Sequence, residues 1–135
     1  MRYVQSVSEK GATKMKTLLV EDNKEISEML TKFLRLSGFD CDTAFNGKEG
    51  VKQILANNYD FVLLDIAMPG YSGIDLIDSL EKKGKLKTQK IIILTASSLT
   101  DEELIALLKR GVHHCLRKPI DLERLLEVIT SSIQS

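Results

Sequence analysis

Residues 61–73 read FVLLDIAMPGYSG, and the fold follows from how that stretch changes character. Phe61 to Leu64 are four consecutive apolar residues, as a strand covered on both faces requires. The run ends on a carboxylate, Asp65. Pro69 and Gly70 then supply turn chemistry, and Ile74, Ile77 and Leu80 take up helical spacing. A buried strand, a polar strand end, a turn and an amphipathic helix make one unit of an alternating α/β domain.

The same unit recurs on either side. Further β-rich runs are TLLV at 17–20, FDCDTAF at 39–45, IIIL at 91–94 and VHHCL at 112–116. Helical stripes fall between them: Ile26, Met29, Leu30, Phe33 and Leu34, then Val51, Ile54 and Leu55. Thr100 and Glu103 have capping-box spacing ahead of Leu104, Leu107 and Leu108. Asp121 can cap a last helix carrying Leu122, Leu125, Leu126, Ile129 and Ile133. Five strands alternating with five helices predict a doubly wound parallel sheet, with the mixed second run at an edge. Residues 1–14 show no sustained period and are expected to be a disordered leader; residues 15–135 are expected to form a single domain without an output domain.

Composition narrows the function classes. Nineteen Lys and Arg balance nineteen Asp and Glu, so no global field points to nucleic acid or to a membrane surface. No apolar stretch is long enough to span a bilayer, and no h-region follows the N-terminus. Cys41 and Cys115 have neither metal nor redox spacing and fit two reduced thiols in a cytoplasmic protein.

The informative pattern is what stands at each strand end. TLLV runs into Glu21-Asp22, FVLL into Asp65, IIIL into Thr95, and the fifth run reaches Lys118-Pro119. Singly, these are ordinary features: a helix cap, a turn residue, a surface lysine. In an open parallel sheet, however, ligands bind outside the carboxyl ends of the strands, and four strands deliver these groups to one edge. Asp60 opens the strand that Asp65 closes, so it belongs at the opposite edge. Three converging carboxylates raise one another's pKa unless a cation intervenes. An all-oxygen set favours a hard cation such as Mg²⁺, and an aspartate can act as nucleophile toward a phosphoryl group.

LLVEDN at 18–23, LLDIAMPGYSG at 63–73, ILTAS at 93–97 and RKP at 117–119 together resemble the response-regulator receiver family of two-component signalling, chemotaxis-regulator-like and stand-alone. The resemblance runs from about Lys16 to Ile133. It implies a flavodoxin-like (βα)5 sandwich with strand order 2-1-3-4-5, a fold that the general rule for ligand sites in open sheets itself illustrates with a receiver. It also implies Asp65 as phosphoacceptor, Asp22 as a direct Mg²⁺ ligand, Glu21 acting through water, and Ala67 offering its backbone carbonyl. Thr95 and Lys118 match the hydroxyl and ammonium that grip the phosphoryl group. A cis Lys118–Pro119 bond is implied, as are cysteines on opposite edges, too far apart to pair. The implied partners are a sensor histidine kinase or histidine phosphotransfer protein, and a downstream protein target on the face of the fourth helix, fifth strand and fifth helix. Direct nucleic-acid contact and membrane insertion are not implied, a monomer is favoured, and the domain is a phosphoacceptor that assists its own modification rather than an enzyme.

Three departures from the family pattern stand out. Cys115 occupies the usual switch aromatic's place, so the response is expected to travel through backbone and helix shifts. His113 and His114 replace an acidic pair that helps build a dimer face. Ala67 and Ser97 bring neither amide nor acid to orient water, which implies slow self-dephosphorylation. Among rivals, a flavodoxin-type phosphate loop or a G-x-G-x-x-G is incompatible with EDNKE after the first strand. An Asp-nucleophile phosphatase lacks its second Asp at Ala67. A non-phosphorylated pseudo-receiver acting as a binding scaffold is the alternative.

Overall fold

The structure, a computed structural model, describes residues 14–96 and 99–134, and of residues 133 and 134 only the backbone. All of the expected leader except Lys14 lies outside the described residues, as do Ser97 and the side chain of Ile133. The elements in chain order are β1 (Lys16–Val20), α1 (Lys24–Leu36), β2 (Asp40–Ala44), α2 (Gly47–Ala56), β3 (Phe61–Asp65), α3 (Gly73–Lys82), β4 (Ile91–Thr95), α4 (Asp101–Arg110), β5 (His114–Arg117) and α5 (Leu122–Gln134). The strands pair in parallel in the order β2-β1-β3-β4-β5, the doubly wound arrangement expected from the sequence.

Alternation along the central strands builds two cores. Leu18, Val20, Val62, Leu64, Ile91 and Ile93 face one side, where Ile54 of α2, Leu76, Ile77 and Leu80 of α3, and Leu107 of α4 cover them. Leu19, Phe61, Leu63, Ile92 and Leu94 face the other, against Leu30 and Leu34 of α1 and Leu125, Val128 and Ile129 of α5. Every residue of β3 and β4 is buried. That is why those runs read as continuously apolar rather than alternating.

Local chemistry starts the helices where the chain turns off the sheet. Asn23 and Asn46 cap α1 and α2, accepting from the backbone N–H of Ile26 and Glu49. Ser72 with Asp75 and Thr100 with Glu103 form reciprocal capping boxes on α3 and α4. Asp121 accepts from Glu123 and Arg124 at the start of α5.

Some details differ from the sequence reading. The second and fifth strands are shorter or shifted: Phe39 and Phe45 flank β2, and β5 begins at His114 and ends at Arg117. Val112 packs into the core ahead of the strand. Met29, Leu55 and Leu108 are exposed. Each adjoins a buried residue (Leu30, Ile54 and Leu107), and one helical step of about 100° carries a side chain off a narrow core face. Cys41 and Cys115 are free thiols on β2 and β5, the two edges of the sheet. No described helix is long and apolar enough to cross a membrane.

Phe61 is fully buried and meets Phe39 edge to face, with ring centroids 5.5 Å apart. Phe61→Ala should therefore cost about 3–5 kcal/mol, read as a lower urea midpoint with an unchanged slope.

Candidate functional site

Three strand ends supply the charged cluster. Residues 21 and 22 follow β1, Asp65 ends β3, and Lys118 follows β5. Glu21, Asp22 and Asp65 can each bring one carboxylate oxygen to within 4.8 Å of the others. The Lys118 Nζ lies 3.2 Å from Glu21 Oε1 and 3.3 Å from Asp65 Oδ1. Glu21 and Asp65 are only 1% and 2% exposed, whereas Asp22 opens to solvent. The backbone holds both buried carboxylates: Asn23 N–H donates to Glu21 Oε2 at 3.2 Å and Ala67 N–H to Asp65 Oδ1 at 3.2 Å.

The electrostatics follow from that crowding. Burial pushes the Glu21 carboxyl above its ordinary range and nearby Asp65 pushes it further, while the Asn23 N–H and Lys118 pull it down. Burial alone would lower the Lys118 pKa, but Asp65 and Glu21 outweigh it and hold the ammonium above its usual value. Three carboxylates facing one ammonium still leave an excess of negative charge. An all-oxygen set with that excess, open at Asp22, fits a hard divalent cation such as Mg²⁺.

Thr95 closes β4 and is buried; its Oγ1 donates to the carbonyl of Ala96 at 2.9 Å. Lys118 N–H donates to the Thr95 carbonyl at 2.6 Å, so two strand ends that carry site residues are tied to one another. Ala67 sits exposed on the turn after Asp65. The Lys118–Pro119 bond is cis, and Gly70 in the turn has φ +75°. Asp60 lies at the far end of β3, where Lys16 N–H donates to its carboxylate at 2.6 Å.

The structure thus brings Glu21, Asp22, Asp65 and Lys118 together, sets Thr95 at the neighbouring strand end, and keeps Asp60 away. Sequence reading gave no part to Gly73 or Arg117. A Cβ on Gly73 would stand 2.8 Å from the Asp65 carbonyl oxygen and from Ile66 Cα, so only glycine lets α3 start this close to the end of β3. Arg117 lies inside the RKP motif, but its role depends on contacts that no spacing reveals. His113 and His114 sit at the opposite end of β5 from Lys118, away from the cluster.

The receiver-domain family model matches residues 17–130. The chain belongs to the response-regulator receiver domain family. Receivers are phosphoacceptor signalling domains of two-component systems. The response regulator ArlR of Staphylococcus saprophyticus is 32% identical over 88% of this receiver and 52% of its own length. The transcriptional regulatory protein DltR of Streptococcus agalactiae is 38% identical over 83% and 49%. This receiver spans about half the length of these curated relatives. Among solved structures, the receiver domain of the Francisella response regulator 1452 superposes with a TM-score of 0.81 at 31% identity, covering 90% of this chain and 98% of that one. The response regulator TrrA of Thermotoga maritima, solved in complex with Mg²⁺–BeF, gives 0.76 at 35% identity over 87% and 98%.

Two outcomes follow from these contacts. Gly73→Ala should cost about 1–3 kcal/mol, because the atoms it meets are backbone and cannot rotate away; urea unfolding reads the cost, and amide shifts at Asp65–Ala67 report the displaced strand end. His114 titrates below its ordinary value, first through burial and then through Arg124 and His113. The unfolded chain takes up protons near pH 6.5 that the folded imidazole resists, so stability falls as the pH drops through that value. The His113 pKa is lowered too, by burial and by Lys90, so His114→Asn should reduce but not abolish the change in urea midpoint between about pH 7.5 and 5.5; an unchanged slope would show that His114 contributes nothing to it.

Proposed function

We propose that this receiver, residues 15–135, accepts a phosphoryl group on Asp65 from the phosphohistidine of a sensor histidine kinase or a histidine phosphotransfer protein, and signals by protein contact. The observation that carries this reading is the buried Asp65 carboxylate, 3.3 Å from the Lys118 ammonium and clustered with Glu21 and Asp22. The solved Mg²⁺–BeF complex of TrrA, a relative 35% identical, adds support.

In the transfer, a carboxylate oxygen of Asp65 attacks phosphorus as the donor's P–N bond breaks. The bonding pair leaves on the imidazole nitrogen, which takes up a proton on release. The Ala67 N–H, bonded to Asp65 Oδ1, orients the attacking carboxylate. Lys118 donates to the phosphoryl oxygens as charge builds on them, and the Thr95 hydroxyl secures the product. Glu21, Asp22, Asp65 and the Ala67 carbonyl would hold Mg²⁺, which supplies neutralisation of the phosphoryl charge when bound. On this reading the domain is a phosphoacceptor that assists its own modification rather than an enzyme. Ala67 and Ser97 lack the groups that orient a hydrolytic water, so the aspartyl-phosphate should be long-lived. We place the protein in the cytoplasm, acting as a mainly monomeric regulator without direct nucleic-acid or membrane contact. It would meet its target through α4, β5 and α5.

The test uses acetyl phosphate, a small phosphoryl donor, with Mg²⁺, followed by intact mass. Wild type should gain one phosphoryl group, and chelation should abolish the gain. Asp65→Asn should gain none while keeping its folded amide spectrum. Labelling retained in Asp65→Asn would sink the acceptor assignment. A folded wild type that ignores the donor, Mg²⁺ and beryllofluoride alike would make the pseudo-receiver scaffold the better account.

A further inference from the structure

We infer that Arg117 is a positioning residue: its side chain latches the start of α4 to the end of β5 and so sets how readily the domain adopts its phosphorylated form. The inference rests on the reading of Asp65 as phosphoacceptor.

Arg117 is the last residue of β5 and pairs in register with Thr95, the last of β4. The residue after it, Lys118, reaches into the acidic cluster. Its own side chain goes elsewhere. Nη1 donates to the Leu99 carbonyl at 3.0 Å and Nη2 to Asp101 Oδ1 at 2.8 Å. Leu99 packs partly into the core beside α3 and α4, and Asp101 is the first residue of α4. Between them stands Thr100, the helix cap. One planar guanidinium therefore grips both sides of the point where α4 begins.

Thr95 stands at the end of β4. Its hydroxyl now donates to Ala96 O, one residue along. To serve a phosphoryl group on Asp65, the hydroxyl must give up that bond, and the backbone at 95–96 is where the chain leaves β4. That strand end is bonded to the end of β5 through Lys118 N–H, and there Arg117 holds Leu99 and Asp101 in place. The latch thus opposes the rearrangement that phosphorylation asks of Thr95.

Residues 115 and 117 project to the same side of β5, and Cys115 packs against the same core as Leu99. A thiol offers little bulk with which to drive α4. The polar link from Arg117 is the direct mechanical connection from this strand to the start of that helix. Its strength suits a switch. Arg117 is 39% exposed and Asp101 90%, so the contact biases an equilibrium by a few-fold rather than locking it.

The experiment titrates beryllofluoride at saturating Mg²⁺ into wild type, Arg117→Ala and Arg117→Lys, with amide NMR as the readout. Arg117→Ala should bind the mimic about two- to fivefold more tightly. Without ligand, its α4 amides should be displaced from the wild-type free positions toward the bound ones. A bare charge effect runs the other way, since removing a cation weakens anion binding. Arg117→Lys keeps the charge but loses the fork, and should fall between the two. Equal or weaker affinity in Arg117→Ala, with free α4 amides on the wild-type positions, would overturn the latch while leaving the phosphoacceptor reading intact. A wild type that does not respond to beryllofluoride overturns both.

Discussion

The ammonium of Lys118 lies within 3.3 Å of two carboxylates that are almost wholly shielded from water, those of Glu21 and Asp65. Isolated charges at such depth cost several kcal/mol each, and their attraction repays that only with good geometry and further hydrogen bonds. The structure supplies both through backbone N–H groups, Asn23 to Glu21 and Ala67 to Asp65. The three charges still do not cancel, and Asp22 adds a fourth. An arrangement of this kind is poorly suited to stability for its own sake. It suits the binding of something that carries positive charge and then something that carries negative charge.

The rest of the fold makes that arrangement possible. Lys118 comes from β5, an edge strand, and reaches residues that follow β1 and end β3, with β4 between. Its long aliphatic stem makes this reach feasible while keeping the head on its partners. The cluster therefore exists only once the sheet has assembled in the observed order. The same order buries β3 and β4 on both faces, which fixes Asp65 and Thr95 on rigid strand ends. The turns between strand ends and helices carry the remaining polar groups, and their caps hold them in register with the sheet.

Much of this was legible in the chain because it is local. An apolar run that stops at a polar residue announces both a buried strand and its exposed end, and four strand ends of this kind point to one edge. Thr100 with Glu103 marks a helix start by spacing alone, and the reciprocal bonds are there. What was not legible depends on distance. The ammonium that pairs with the buried Glu21 belongs to Lys118, 97 residues away along the chain. The need for glycine at 73 comes from the approach of α3 to the Asp65 carbonyl. Met29, Leu55 and Leu108 fit an amphipathic pattern, yet the core stripe they adjoin is narrower than hydropathy alone suggests. Arg117 stood within a motif, but motif spacing says nothing of where a guanidinium points.

The two sides of Arg117 divide the work of the domain between neighbouring residues. Lys118 turns into the acidic cluster; Arg117 turns away and meets the start of α4. The two are adjacent in sequence and Lys118 N–H is bonded to the Thr95 carbonyl, so the path from the cluster to Arg117 is one residue long. In a receiver with an aromatic on β5, a ring moving between two packed positions could carry a change at the cluster by bulk. Here Cys115 is half-buried among apolar neighbours, and burial holds its thiol protonated, so it brings neither bulk nor charge to the task. Coupling by hydrogen bonds to a carbonyl and a carboxylate remains, and it is weaker, more open to solvent and more sensitive to salt than packing. A switch built this way trades sharpness for reversibility, since partial release of the guanidinium leaves the core of β3 and β4 untouched.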